Sequence, residues 1–321
     1  MKVGIKNIEY YLPPETEDGQ VLLRDNPDWP IANIEQKTGI KTRYLAGDLS
    51  VVDLAERATE KLFESSIDRE SIDFLVLVTQ SPLNVLPASA CILHKKLKLN
   101  SGCLALDLNL GCSGYVYALA LCSGLIEAGI ARQGLIICSE TYSKYIDPKD
   151  RICRPLFSDT AAASLIARTA EDALGHFEMG TDGAGYNNLI VPSDENPASS
   201  ESNKLFMDGS KVFMFTMDMV PKCVNALLKK SGITSHDVDL FIFHQASKLV
   251  IDNLIRRLDL PPDKVFTNYE TIGNTVSASI PIAMKQAIEK GKLHTGDHVM
   301  LVGFGVGYSW GACMLKYGGD S

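Results

Sequence analysis

The sequence predicts an α/β protein made of two copies of one sheet-and-helix unit. Three observations lead there. Apolar runs of strand length alternate with runs of helix length. The same landmark residues return 162 to 166 positions later. The chain has 321 residues, 45% of them hydrophobic, which is ample for a large core and for two domains or one large duplicated one.

Taken in chain order, MKVGIKNIEYYLPP alternates like a strand and lacks the continuous apolar stretch of a secretory signal. VVDLAERATEKLFESS (51–66) reads as a helix, and FLVLVTQ (74–80) and CLALDLN (103–109) read as buried strands. VYALALCSGLIEAG then reads as a buried helix and GLIICSE (134–140) as a buried strand. VPSDENPASSESNK (191–204) has no apolar period and reads as a long surface loop or linker. In the second half, residues 211–231 and 279–291 read as helices, and LFIFHQ (240–245) and HVMLVGFG (298–305) as buried strands. Strands that stay apolar throughout imply a sheet covered by helices on both faces.

The repeat is concrete. Ile67 and Asp73 return as Ile233 and Asp239, both 166 residues on. Gly111, Glu127 and Gly129 return as Gly273, Glu289 and Gly291, all 162 residues on. The expected division is 1–170 and 171–321, with pseudo-two-fold packing of the halves. Cys112 then stands opposite Asn274, each after a glycine and each opening a helix. His244 ends the strand that the repeat matches to FLVLVTQ.

Composition narrows the function. The formal net charge of −8 argues against broad nucleic-acid binding. No apolar run has the ~18 residues of a membrane helix. The eight cysteines form no CxxC pair, which favours reduced thiols in the cytoplasm and no metal site. No GxxxxGK[ST], GxGxxG or HExxH motif is present.

Chemistry concentrates in NLGCSGYVY (109–117). A cysteine at a helix N-terminus meets the positive end of the helix dipole and free N–H groups, which favour the nucleophilic thiolate. Its own N–H is suited to the oxygen of a tetrahedral acyl intermediate. The alternative is a buried core cysteine. His244 is a candidate base, acid or hydrogen-bond donor, or else a capped strand-end histidine. Asn274 cannot take a proton, so its chemistry is hydrogen-bond donation; the alternative is a turn residue. GFGVGYSWG (303–311) suggests a backbone loop lining a site, or a tight turn between strands.

Together the GCSG turn, the HQA strand end, the GNT turn and the GFGVGYSWG loop resemble the β-ketoacyl-acyl-carrier-protein synthase III family of thiolase-fold condensing enzymes. The resemblance spans nearly the whole chain. It implies a thiolase-like five-layered αβαβα fold, a cytoplasmic homodimer and a Cys112–His244–Asn274 triad. It implies acyl transfer from an acyl-CoA to Cys112, with the N–H groups of Cys112 and Val306 as oxyanion donors. Decarboxylative condensation with a malonyl thioester, on acyl carrier protein, would follow, with no cofactor. Phe304 would favour decarboxylation. Arg151, Met207, Gly209, Phe213 and Ala246 match the CoA channel, and Leu86 the residue that reaches across the dimer to close the partner's acyl pocket.

The chain departs from the family in several places. Lys37 stands where an arginine is usual, Trp29 is displaced, and SDTAAA (158–163) replaces a glycine-rich loop. On the surface matched to carrier-protein docking, Arg256 and Arg257 remain, with Lys248 adjacent, while Met214 and Leu249 replace cations. These departures imply a divergent member in a specialised pathway. The competing reading keeps the fold but moves the acyl group to an oxygen or nitrogen nucleophile. A papain-like hydrolase shares the order Cys, His, Asn but not the surrounding signature.

Overall fold

Two mixed sheets of matching topology carry the chain. The computed structural model describes residues 2–169, 173–193 and 203–319. From the N-terminus come β1 (Lys2–Tyr11), β2 (Glu15–Asp18), α1 (Gly19–Asp25), α2 (Ile31–Thr38), β3 (Thr42–Leu45) and α3 (Val51–Phe63). β4 (Phe74–Val78), α4 (Ser89–Lys96), β5 (Leu104–Leu108), α5 (Gly114–Glu127), β6 (Gln133–Glu140) and β7 (Thr160–Thr169) follow. Next are β8 (Ala173–Thr181), β9 (Leu189–Ile190), β10 (Phe206–Met207) and α6 (Gly209–Ser231). β11 (Leu240–Phe243), α7 (Lys248–Leu258), α8 (Tyr269–Ile272), α9 (Ser279–Glu289), β12 (His298–Gly305) and β13 (Ser309–Lys316) complete the chain.

The first sheet runs β1-β7-β6-β4-β5 and the second β8-β13-β12-β11. In each, the second strand is antiparallel to both its neighbours and the fourth is parallel to the third. The fifth position is β5 in one sheet and a single parallel bridge, Phe241 to Val265, in the other. Repeat landmarks make the same bonds in both halves. The Asp73 N–H donates to Gln133 O at 3.0 Å, and Asp239 N–H to His298 O at 2.8 Å. Each carboxylate accepts the N–H of that same residue in return. Gly129 and Gly291 both end helices at positive φ, +74° and +60°.

Burial explains the layering. β4 reads FLVLV, and all five side chains are buried. Phe74, Val76 and Val78 face α5 and α9, which lie between the sheets, while Leu75 and Leu77 face α3 and α4 outside. In the second sheet Leu240 and Ile242 join the central core, and Phe241 and Phe243 meet α6 and α7 outside. The order is helix, sheet, helix, sheet, helix. Apolar transfer at roughly 25 cal/mol per Å² makes this two-faced burial the main driving force.

Several expectations need correction. The helix at 51–66 stops at Phe63, and Ser66 turns the chain at φ +64°. The stretch 103–109 is not a buried strand: β5 is a sheet edge with half-buried side chains, and Leu104 is exposed. Its Asp107 carboxylate is spent on the N–H groups of Ser89 and Ala90, both at 2.7 Å. SDTAAA is not a loop over its length, because β7 begins at Thr160. Most of the loop expected at 191–204, and the boundary at 170/171, lie outside the described residues. Among the described residues no helix is long and apolar enough to cross a membrane.

One buried polar cluster braces the first half. Arg43 and Arg154 both ion-pair with Glu17, and Arg154 also holds Asp25 at 2.6 Å. Arg43 further donates to Phe157 O at 3.1 Å, and Phe157 bridges in parallel to Asn274. Removing one partner leaves uncompensated buried charge. Glu17→Ala is therefore expected to lower unfolding free energy by about 3–5 kcal/mol, measured by urea denaturation; a loss under about 1 kcal/mol would show the cluster to be dispensable.

Candidate functional site

Cys112 sits in the turn between β5 and α5, two residues before the helix. Gly114 N–H closes the turn on Gly111 O at 2.8 Å. The turn lies directly on the end of β12. A Cβ added to Gly303 would stand 2.7 Å from Cys112 O, and one added to Gly305 would stand 3.1 Å from the sulfur. The glycines of GFGVG are thus places where a second backbone crosses, not only turn formers. Ser113 Oγ meets Ser309 Oγ at 2.7 Å across the same junction.

His244 follows β11, two residues from its neighbour Ala246 at the start of the next loop. It is buried, with Nδ1 2.7 Å from Ser279 Oγ at the head of α9. Phe304 stands edge-on to the ring, centroids 5.5 Å apart at 82°. Asn274 lies after α8, also buried. Its Nδ2 donates to Ala246 O at 3.4 Å, and its Oδ1 accepts Val276 N–H at 3.0 Å. Val276 holds φ +52°, a conformation that a β-branched residue adopts only under constraint. The helix expected to open at Asn274 begins instead with a short 3₁₀ turn at Val276 and becomes α9 at Ser279.

Cys112, His244 and Asn274 line one cavity of about 170 Å³. Phe304, Met207, Gly209, Phe213 and Ala246 line it too. Val306 lies just beyond β12, and its N–H, with that of Cys112, acts to favour the thiolate form of the sulfur. Arg151, Lys37 and Leu86 lie outside the cavity on exposed positions, Leu86 at 80% exposure. Arg256 and Arg257 line a wider surface groove of about 570 Å³ with Phe213 and Met214. Lys248 is exposed and paired with Asp252 at 2.5 Å.

The electrostatics reverse one expectation. Burial, reinforced by the charge of Glu140, pushes the Cys112 thiol up to about 12. The N–H groups of Cys112 and Val306 act toward the thiolate but are outweighed. Burial pulls His244 down to about 3, so the imidazole is neutral. Burial also lifts Glu140 to about 8, against hydrogen bonds from Gln80, Ser277, Ser81 and Thr79.

Sequence reasoning missed Glu140 and Ser279. The only signal for Glu140 was a carboxylate ending an otherwise apolar strand, GLIICSE. It also missed Tyr142, Phe157 and Leu205, apolar neighbours that pack around Cys112. Nothing local marks such residues, because their role comes from tertiary convergence.

Comparison with known proteins finds relatives over nearly the whole chain. The family model described as 3-oxoacyl-[acyl-carrier-protein (ACP)] synthase III matches residues 106–183, and that of its C-terminal part matches 228–317. A β-ketoacyl-[acyl-carrier-protein] synthase III from Clostridium perfringens is 36% identical over 311 residues, covering 94% of each chain. A crystal structure of a 3-oxoacyl-(acyl-carrier-protein) synthase III superposes with a TM-score of 0.94 at 37% identity, covering 99% of this chain and 100% of that one. The Pseudomonas aeruginosa PAO1 structure of the same name gives 0.93 at 33% identity, covering 99% of each. The five-layered αβαβα architecture is that of the thiolase fold, and the chain belongs to the 3-oxoacyl-[acyl-carrier-protein] synthase III family of acyl-transferring condensing enzymes.

Proposed function

We propose that this enzyme performs decarboxylative condensation of an acyl group, taken from an acyl-CoA onto Cys112, with a malonyl thioester on acyl carrier protein. The observation that carries the reading is a thiol, a neutral imidazole and an amide from different elements lining one mostly apolar cavity. In the first half-reaction the Cys112 sulfur attacks the thioester carbonyl. The oxyanion is held by the N–H groups of Cys112 and Val306, and the thiol proton leaves with CoA. In the second, His244 Nε2 and Asn274 Nδ2 donate to the malonyl thioester carbonyl. Loss of carbon dioxide then leaves a stabilised enolate. Its carbon attacks the acyl-Cys112 carbonyl, the C–S bond breaks to release the β-ketoacyl thioester, and the expelled sulfur takes up a proton from solvent.

Ser279 helps to orient the ring. When its hydroxyl donates to Nδ1, the neutral ring keeps its proton on Nε2, facing substrate. Phe304, against the same ring, keeps water from the departing carboxylate. A ring held at about 3 is a poor base. That disfavours acyl transfer to an oxygen or nitrogen nucleophile, which must lose a proton. No resident cofactor enters this scheme.

Met207, Gly209, Phe213 and Ala246 form the pantetheine channel in this reading, with Arg151 and Lys37 outside it as candidate CoA contacts. The sheet edge β5 and the exposed Val85, Leu86 and Leu104 suit a second copy of the chain, with Leu86 closing the partner's acyl pocket. The two halves, 1–170 and 171–321, contribute the nucleophile and the donor pair respectively. Carrier protein meets the groove between α6 and α7, which Arg256, Arg257 and the exposed Met214 line, with Lys248 and the exposed Leu249 earlier on α7.

Four outcomes follow. Incubated with a panel of acyl-CoAs, the wild type gains one acyl mass on Cys112 and Cys112→Ser retains none; condensation by the variant at the wild-type rate would exclude Cys112 as nucleophile. Asn274→Ala lowers malonyl decarboxylation by about 10²–10³-fold, while acylation of Cys112 persists. Wild-type decarboxylation stays flat between about pH 5 and 7, since the ring has already lost its proton there. A rise on acidification near an ordinary histidine pKa would argue for imidazolium instead. Finally, Arg257→Glu and Met214→Ser each raise KM for malonyl-carrier protein by about 3–10-fold, more than KM for acyl-CoA. The arginine effect fades at 0.5 M salt and the methionine effect does not, because only exposed charge is screened.

A further inference from the structure

Glu140 is a buried carboxyl near Cys112 that the chemistry above does not use. It ends β6, and its side chain is fully enclosed. Its two oxygens serve different halves of the molecule. Oε2 accepts the N–H of Gln80 at 3.0 Å and lies 3.1 Å from Ser81 Oγ and 3.4 Å from Thr79 Oγ1, at the end of β4. Oε1 lies 2.8 Å from Ser277 Oγ, in the turn that carries Asn274.

Both segments it holds lie beside the nucleophile turn. A Cβ added to Gly111 would stand 2.5 Å from Gln80 Oε1 and 3.3 Å from Val276 Cγ1. One added to Gly114 would stand 3.9 Å from Ser277 Cβ. On the other side, Val276 N–H anchors the Asn274 amide, one residue before Ser277.

We propose that Glu140 is a positioning residue that sets the spacing between the Cys112 turn and the Asn274 turn, and so aligns the acyl-Cys112 carbonyl with the enolate. This rests on the condensation reading above. It also predicts a charge effect. The titratable groups that feel Glu140 are Cys112, Cys138, Tyr142 and Tyr145, none of them a cation. Below about pH 8 its carboxyl is protonated and the thiol faces a neutral group. Above that, the new carboxylate opposes the thiolate.

The test uses Glu140→Gln, which keeps the shape and removes the charge, and Glu140→Ala, which removes the tie. Single-turnover acylation by acyl-CoA, condensation with malonyl-carrier protein, and iodoacetamide alkylation of Cys112 from pH 6 to 10 are followed by intact mass. Glu140→Ala is expected to lose about 10–100-fold more in condensation than in acylation. Glu140→Gln is expected to be alkylated several-fold faster than wild type above pH 8 and at a similar rate below pH 7. If Glu140→Ala does not fold, Glu140→Gln alone decides. Superimposable alkylation profiles, with an unchanged ratio of condensation to acylation, would overturn the proposal. A wild type that acylates yet yields no β-ketoacyl product would sink the condensation reading, and the alkylation profile would still decide on Glu140.

Discussion

The site depends on one close approach: the Cys112 turn lies flat against the end of β12. Two backbones can pass this near only where one of them carries no side chains, and Gly303 and Gly305 meet that condition. The contact fixes the sulfur relative to the Val306 N–H and to Phe304, which come from the same strand end. Any side chain at those two positions would push the turn outward and separate the thiol from the donors of the second half.

Burial then decides the protonation of everything that converges there. Thiol, imidazole and carboxyl all lose their favourable hydration, and each is driven toward its neutral form. The resting site therefore holds no strong charge. Stabilisation of a developing oxyanion or enolate must come from fixed hydrogen-bond donors rather than from a cation, and such donors are worth most in dry surroundings. Ser279 and Val276 acquire their importance here, since they orient the imidazole and the amide before substrate arrives.

Much of this was legible in the sequence. The apolar strands FLVLV and LFIF and the repeat landmarks Asp73 and Asp239 announced two covered sheets, because alternation and burial act locally along the chain. The GCSG, HQA, GNT and GFGVG segments stood out because chemistry there needs particular residue types. CLALDL misled because an edge strand can be as apolar as a central one; its exposure depends on what does or does not lie beside it. The thiol was misjudged because a helix end is visible in sequence while desolvation is not. Glu140 was passed over because its partners, Gln80 and Ser277, are 60 and 137 residues away.

The mirrored bonds of Asp73 and Asp239 carry a further meaning. Each clasps the start of the neighbouring strand in its own sheet, at the end away from the junction. The two sheets thus carry the same kind of clasp far from the cavity, while their facing turns differ, one presenting a thiol and the other an amide. Architecture and reactivity are assigned to opposite ends of the same sheets, so the reactive end is free to vary without loosening the frame that aims it.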